Sequence, residues 1–347
     1  MPRRLSPLVA LALVGGLVLV APLAVAAKTP GGCATAEGLV FYPNPVITTG
    51  NTELKDLKDA NQPVLTAARR SVTLVGLDGS GFLTGRWATV KSSTGDPAFE
   101  PDCTFDYNRH DDRFEQVMAY YWVTWSQLYT RSLGFGVTAG WPAINADQQR
   151  VRINQLGVDN SFATDHPRDE MRFGKGGVDD AEDAEVILHE LGHQIHFSQS
   201  ATFFASNEAG SISEGFGDYW AANGVEIALA QAGLPASPDP ACVADWDSVS
   251  YTAGPIHCLR RLDTNLMYAD RDGRVHRDGQ IWSHALWNLR TAIGPTHANT
   301  SILWAQFGWT GTTMTELAQR IVDQVEDRYG AVEAALALAA FQDRGIL

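Results

Sequence analysis

Hydrophobic and polar positions follow two different periods along this chain. Residues 71–77 alternate between apolar and polar side chains and predict a strand, which the turn at Asp78 and Gly79 ends. Residues 151–154 predict a second short strand. Between them, apolar side chains recur at helical spacing over residues 114–128 and predict a long helix whose aromatic stripe packs in the core.

From residue 179 onward the pattern is mainly helical. Apolar periodicity predicts helices over residues 180–198, 213–232, 281–292, 314–329 and 331–342. We therefore predict an α+β fold, with a β-containing N-terminal lobe over residues 27–178 and a helical C-terminal lobe over residues 179–347. For residues 27–101, a separate β subdomain and a prosegment remnant are both open interpretations.

The first 26 residues have the pattern of a removable signal peptide. Arg3 and Arg4 precede an apolar run over residues 8–20, and residues 24–26 read Ala-Val-Ala, a small-residue cleavage signal. The apolar stretch is also long enough for a membrane anchor, but its prolines and glycines and the cleavage signal favour removal. We expect a secreted, extracellular protein without a membrane partner once the signal is removed.

The composition limits the classes of binding partner and indicates what the cysteines do. The formal net charge of −14 disfavours nucleic acid and anionic membranes as partners. Four cysteines allow three pairings in an oxidising compartment, and we favour Cys33 with Cys103 and Cys242 with Cys258, each within one half of the chain. A cysteine-rich zinc site is disfavoured because the chain contains no C-x-x-C.

Residues 189–193 read His-Glu-Leu-Gly-His, which is the metal-binding pattern H-E-x-x-H. On a helix, residues four apart share one face, so His189 and His193 would present two imidazole nitrogens to one zinc ion. Glu190 lies about 100° around the helix, where its carboxylate would take the proton of a metal-bound water. The alternative is a surface helix whose two histidines merely pair with carboxylates.

A catalytic zinc site needs three protein ligands and one open position. The metzincin continuation of the motif fails, because it requires a glycine and a histidine where this chain has His196 and Gln199. Glu214 is the predicted third ligand. Asp218 lies four residues further on the same face and is predicted to accept the free N–H of a zinc-bound histidine. Solvated charges near a helix N-terminus are the alternative for both carboxylates.

With these residues the chain resembles the gluzincin zinc metallopeptidases, whose ligands are two histidines and a glutamate on a second helix. Within that class it is similar to the fungalysin-like group and its relative thermolysin. The resemblance is most specific over residues 176–218. It implies a two-lobed thermolysin-like fold with the zinc helix at the cleft, one catalytic Zn²⁺, and protein or peptide substrates.

The resemblance also assigns residues outside the motif. Residues 159–162 and 171–174 resemble the edge strand along which the peptide binds, which would place Asn160 on the substrate backbone. A turn asparagine is the alternative. The segment after Val275 resembles the one that carries a second catalytic histidine, so His276 would donate a hydrogen bond to the oxyanion. A solvated histidine is the alternative, and His257 is a competing candidate.

Two further features of the family remain open in the sequence. No tyrosine maps clearly onto the family's oxyanion donor, and Tyr219 and Tyr251 are the options. Calcium is implied by the resemblance, with Asp179, Asp180 and Glu185 as candidate ligands. Residues 270–273 open like a calcium loop but lack the later ligands of an EF-hand.

The predicted function is that of a secreted zinc endopeptidase, and two other functions remain in view. A zinc aminopeptidase would share H-E-x-x-H and a downstream glutamate, but its G-x-M-E-N motif for the substrate amine is missing. A catalytically inactive binding protein could retain the zinc helix as a scaffold. The presence of both Glu190 and Glu214 argues against that, since a scaffold needs neither.

Overall fold

The computed structural model describes residues 32–347, so the predicted signal peptide lies outside the described residues. The fold is α+β, as predicted. Two sheets lie before residue 175, and long helices dominate from residue 184 onward. One continuous apolar core runs from the first strand to the last helix. Within the described range, no helix is both long enough and apolar enough to cross a membrane.

The first sheet has β1 (Thr35–Phe41) at its centre. It pairs antiparallel with β2 (Arg69–Val75) and parallel with β4 (Thr104–Phe105). The strand predicted over residues 71–77 corresponds to β2, which begins and ends two residues earlier than expected. It ends at residue 75 because Gly76 adopts a left-handed backbone (φ 72°), which leaves the extended region.

The second sheet has four strands, of which three are parallel: β3 (Ala88–Ser92), β5 (Gln149–Leu156) and β7 (Glu170–Gly174), which lie side by side in that order. The last strand, β6 (Phe162–Thr164), pairs antiparallel with β7 and leaves its other edge without a strand partner in the described sheet. The strand predicted over residues 151–154 is the centre of β5.

The long predicted helix is α3 (Arg113–Ser132), which packs against both sheets and against the zinc-motif helix. Its stripe packs in the core as expected, with Phe114, Val117 and Met118 fully buried and Tyr121 and Trp125 partly buried against it. Leu128 is the exception, because it is 41% exposed at the end of the stripe.

Helices form the C-terminal part, and two of the predicted helices have the expected bounds. The helices are α4 (Ala184–Gln199), α5 (Asn207–Gln231), α6 (Val275–Ile293), α7 (Pro295–Gln306), α8 (Met314–Tyr329) and α9 (Ala331–Gln342). The last two coincide with the prediction. The helices α5 and α6 each begin six residues earlier than predicted, and α7 has no counterpart in the sequence analysis.

Short elements complete the structure. Two unpredicted helices, α1 (Pro45–Thr49) and α2 (Pro63–Ala68), connect β1 with β2. The small hairpin of β8 (Cys242–Val243) and β9 (Arg260–Arg261) packs near α5 and α6. Disulfides join Cys33 to Cys103 and Cys242 to Cys258, the pairing favoured from the sequence. The division of the chain at residue 178 into two lobes stays a prediction.

Candidate active site

The helix α4 carries the two motif histidines on one buried face. It begins at Ala184 because the side chain of Asp183 accepts a hydrogen bond from the backbone N–H of Glu185 (3.0 Å) and so caps the first turn. His189 and His193 follow at one-turn spacing, and their ring centroids are 4.8 Å apart. Both side chains are buried.

A glycine contact brings the next helix close to these histidines. A Cβ on Gly192 of α4 would lie 2.9 Å from the Cα of Gly217 on α5, so only glycine allows this approach of the two helices. The approach places Glu214 against both rings. Its Oε2 lies 3.3 Å from Nε2 of His189, and its Oε1 lies 3.7 Å from Nε2 of His193.

These three side chains fit a zinc ion. Tetrahedral zinc with nitrogen and oxygen ligands holds its ligand atoms about 3.4 Å apart, close to the two separations of Glu214 from His189 and His193. All three ligand atoms lie within 4.8 Å of one another. Oε2 of Glu214 is buried and lies 3.3 Å from Nε2 of His189 and 3.4 Å from Nε2 of His276, so a metal bound by His189 would also meet this oxygen.

The charge states of the three candidate ligands also suit a cation. Burial lowers the pKa of His193 to about 4, which leaves its imidazole neutral and able to bind a metal. Burial raises the pKa of Glu214, but His193 and His189 lower it more, so the carboxylate stays ionised. Burial lowers the pKa of His189, but hydrogen bonds to Asp218 and Glu214 raise it to about 10 overall. The two carboxylates therefore stabilise a positive charge at this ring, which a metal on Nε2 would supply in place of the proton.

A carboxylate and an arginine hold His189 from behind. Oδ1 of Asp218 lies 2.9 Å from Nδ1 of His189, which leaves Nε2 for the metal. The Arg260 guanidinium in turn donates to both oxygens of Asp218, at 2.7 and 2.8 Å. This ion pair keeps the pKa of Asp218 below its usual value despite burial. Of the two histidines that the sequence left open, Asp218 contacts His189.

Two residues behind the histidines were not predicted from the sequence: Arg260, which pairs with Asp218, and Ser213, which contacts His193. Oγ of Ser213 lies 2.9 Å from Nδ1 of His193 and 3.0 Å from Nδ1 of His196. Arg260 has no motif around it, and it reaches Asp218 across 42 positions of sequence through the disulfide-linked β8–β9 hairpin. The one available signal for Ser213 is its place directly before Glu214.

Glu190 lies beside the three candidate ligands and is buried. Burial raises its pKa to about 8, with Glu214 adding to the rise and His189 opposing it. Its Oε2 has no hydrogen-bond partner among the described residues. A carboxyl group that titrates close to neutrality and has a free oxygen is suited to accept and return a proton.

A second glycine contact brings α6 to the site. A Cβ on Gly215 of α5 would collide with the carbonyl oxygen of Gly279 on α6, so these backbones are in direct contact. The first turn of α6 thereby places His276 with its Nε2 3.4 Å from Oε2 of Glu214, and its side chain is 64% exposed. An exposed ring beside the ligands can donate to a substrate.

The structure separates the other candidates that the sequence left open. His257 does not line the cavity at His189, and its Nδ1 is instead 2.7 Å from Oγ1 of Thr252. Tyr219 is fully buried and donates to Asn299 at 2.6 Å, away from the cavity. Tyr251 is the tyrosine that lines the cavity.

A cavity of about 320 Å³ adjoins the site and is lined by His189, Glu190 and His276. Asn160 and Ser161 also line it, directly before the edge strand β6. An extended peptide in this cavity would therefore lie beside the open edge of the second sheet. The contact of Asn160 with substrate stays a prediction.

The three candidate calcium ligands do not converge on one site. Each belongs to a different group of carboxylates: Asp179 lies with Asp112 and Glu115, Asp180 with Asp159 and Asp247, and Glu185 with Asp183 and Asp245. Each of the three therefore has acidic neighbours of its own, and calcium binding at any of them stays a prediction.

Comparison with known proteins identifies the fold. No protein-family model and no curated protein match the chain. Among solved structures, the chain is similar to the precursor of protealysin, a metalloproteinase from Serratia proteamaculans, with a TM-score of 0.54 and 16% sequence identity. The match covers 85% of this chain and 99% of that chain. The thermolysin-like α+β fold is thereby confirmed, and the fungalysin-like assignment stays a prediction.

Proposed function

We propose that this protein is a secreted zinc-dependent endopeptidase that hydrolyses internal peptide bonds of proteins and peptides. The observation that carries the proposal is the convergence of His189, His193 and Glu214 at metal-ligand spacing, with the unpartnered carboxylate of Glu190 beside them. The similarity in fold to a metalloproteinase supports the same activity class.

The side chains divide the chemistry among them. Bound zinc would polarise the scissile carbonyl and lower the pKa of a water molecule to about 7. Glu190 would take the proton of that water and return it to the leaving amine. Asp218 holds His189 through Nδ1. His276 donates a hydrogen bond to the carbonyl oxygen as negative charge develops.

Substrate binding and cellular location complete the proposal. An extended peptide adds to the free edge of β6, and the side-chain amide of Asn160 holds its backbone. The two disulfides support folding in an oxidising compartment, in agreement with the predicted signal peptide. Calcium at one of the carboxylate groups remains part of the proposal through Asp179, Asp180 or Glu185.

The test compares casein hydrolysis by the purified protein and by Glu190→Gln, with the zinc content of both measured. We expect about one zinc per chain in each, because Glu190 is not a ligand, and loss of hydrolysis in the variant. Zinc without hydrolysis of casein or blocked peptides in the unmodified protein would instead support an inactive binding protein. Absence of zinc from both would overturn the assigned centre.

A zinc aminopeptidase is the second candidate function, and one feature of the cavity favours it. Acidic residues lie in the cavity next to Glu190, where an exopeptidase would bind the free amine of its substrate. Peptides with a blocked N-terminus separate the two functions. We expect the protein to cleave them, since an endopeptidase requires no free amine.

A further inference from the structure

The cavity beside Glu190 contains three carboxylates that the proposed mechanism does not use. Asp159, Asp180 and Asp247 each offer an oxygen within 4.8 Å of the others, and we call them the acidic cluster. All three line the cavity that also contains His189 and Glu190. They come from the loop before β6, the turn before α4 and the segment after β8, so that folding alone brings them together.

Two members of the acidic cluster are buried, and each has one carboxylate oxygen without a hydrogen-bond partner. Asp180 is 2% exposed and Asp247 is 4% exposed. Oδ2 of Asp180 accepts hydrogen bonds from Ser161 and from the N–H of Gly174, and Oδ2 of Asp247 accepts one from Tyr251 at 2.8 Å. Oδ1 of each is buried and has no partner in residues 32–347. A buried carboxylate oxygen without a donor is costly, which points to a ligand that supplies one.

The protein itself does not neutralise this charge. Arg260 is the only arginine or lysine among the described residues that line the cavity, and its Nε and Nη2 donate to Asp218 rather than to the acidic cluster. Burial raises the pKa of Asp159 to about 7, with repulsion from Asp180 adding to it, and burial raises that of Asp180 to about 6. Burial and repulsion also raise the pKa of Asp247. A cation entering the cavity would relieve the repulsion that raises these values.

The rest of the cavity wall indicates the kind of cation. Val186, Val243 and Leu259 line the same cavity, so apolar surface leads to the acidic cluster. Lysine and arginine side chains combine an aliphatic stem with a charged end, and the ammonium group offers three donors. A bare metal ion would leave the apolar wall without a contact, and the volume of about 320 Å³ exceeds what one ion needs.

We propose that the acidic cluster is a specificity subsite that receives a lysine or arginine side chain of the substrate, next to the bond that is cut. This inference rests on the proposed endopeptidase function, because it takes Glu190 and the candidate zinc ligands as the reacting centre. The ammonium or guanidinium group donates to the free oxygens of Asp180 and Asp247. The aliphatic stem packs on the apolar wall.

The first experiment maps cleavage without assuming a sequence. The zinc-loaded protein digests a mixture of denatured proteins, and mass spectrometry identifies the new termini. We expect lysine and arginine to be enriched at one position that adjoins the cut bond. Casein hydrolysis with no enrichment of either residue would overturn the subsite while leaving the proposed function intact.

The second experiment tests the cluster with two peptides blocked at both ends, which differ only by lysine or norleucine at that position. Asp180→Asn and Asp247→Asn keep the shape of the side chain and remove its charge. We expect the ratio of kcat/KM for lysine over norleucine to fall by about 10- to 100-fold in each, as for loss of a charge-assisted hydrogen bond. The control Asp327→Asn changes an exposed aspartate on α8 and should leave both rates unchanged.

A binding measurement removes the dependence on turnover. Calorimetry of the same peptides with zinc-loaded Glu190→Gln should show tighter binding of the lysine peptide, and this preference should disappear when Asp180→Asn is added. Equal binding of both peptides would overturn the subsite even in an active enzyme. Cleavage of unblocked peptides alone would assign the cluster to a free amine instead. Stoichiometric calcium that both Asn variants lose would make it a metal site. Either result overturns the proposal.

Discussion

Replacing Gly217 by alanine tests how the candidate metal centre is built. Gly217 lies on α5 directly behind the first motif histidine. An added Cβ would lie 2.7 Å from Nδ1, 2.8 Å from Cε1 and 3.1 Å from Cγ of His189. The nearest of these is 0.7 Å short of the 3.4 Å at which ordinary contact begins. The imidazole must therefore shift, since the helix backbone holds the new methyl group in place.

The size of the effect follows from the tolerance of a zinc site. Ligand distances in such sites vary by only about 0.2 Å, less than the shift that the methyl group requires. The same ring also holds Asp218 at 2.9 Å through Nδ1, so the supporting contact is displaced together with the ligand. We expect Gly217→Ala to weaken zinc binding by about 10- to 100-fold, as loss of an outer partner does. Overpacking should cost about 1–3 kcal/mol, offset by about 1 kcal/mol of helix propensity.

The assay is a zinc titration against a competing chelator, with circular dichroism to show that each variant is folded. Gly210→Ala is the matched control, because Gly210 lies two turns earlier on α5 and meets only the end of Val275, at 3.1 Å. It gains the same helix propensity, and we expect it to keep the zinc affinity of the unmodified protein. If folded Gly217→Ala binds zinc as tightly as Gly210→Ala, the glycine contact does not position His189.

Three further predictions concern stability. Replacing Cys242 and Cys258 by serine should lower the free energy of unfolding by about 3 kcal/mol, as a 16-residue separation implies, and an unchanged denaturation midpoint would contradict this. Burial raises the pKa of Glu115 well above its usual value, so the folded state keeps a proton that the unfolded chain releases above about pH 4.5, and stability falls as the pH rises. Glu115→Gln should therefore raise the melting temperature at about pH 7 more than at about pH 4, and equal shifts at both would refute the reasoning. Nη2 of Arg109 lies 2.8 Å from Oε2 of Glu182, so Arg109→Met leaves that buried carboxylate without its charge partner and should lower the free energy of unfolding by about 3–5 kcal/mol. Denaturant titrations should show that adding Glu182→Gln to Arg109→Met restores most of this loss, and no recovery would contradict the reasoning.

The parts of the site that follow local periodicity could be predicted from the sequence. His189, Glu190 and His193 share one helix, so their relative positions depend only on the helical repeat. Glu214 and Asp218 could be selected because a zinc centre requires a further ligand and because four residues make one turn. The structure places all five together, and their metal-binding and catalytic roles stay predictions.

Groups that meet through the tertiary fold could not be predicted. Arg260 reaches Asp218 from a hairpin that has no motif, and the acidic cluster comes from three separate segments. The helix α7 was missed because Pro295, Thr296 and the polar residues that follow give no strong apolar repeat, and its stability comes from packing against α6 and α8.

The misplaced helix starts have a physical cause that also bears on function. Gly210, Gly215, Gly217 and Gly279 have low helix propensity, and Gly210 and Gly279 lie between the observed and the predicted starts of α5 and α6. In the structure they are helical, and most of them lie where another backbone or ring allows no side chain. The cost in helix propensity is offset by the close approach of helices that this permits.

These glycines determine which side chains meet. The Gly192–Gly217 contact sets the distance between α4 and α5 and thereby the separation of Glu214 from the motif histidines. The Gly215–Gly279 contact sets the distance between α5 and α6 and thereby brings His276 to the same carboxylate. Because both contacts involve α5, the helix of Glu214 is held from two sides. The H-E-x-x-H motif supplies two candidate ligands, but the positions of the third candidate ligand and of the candidate oxyanion donor depend on glycines at helix crossings.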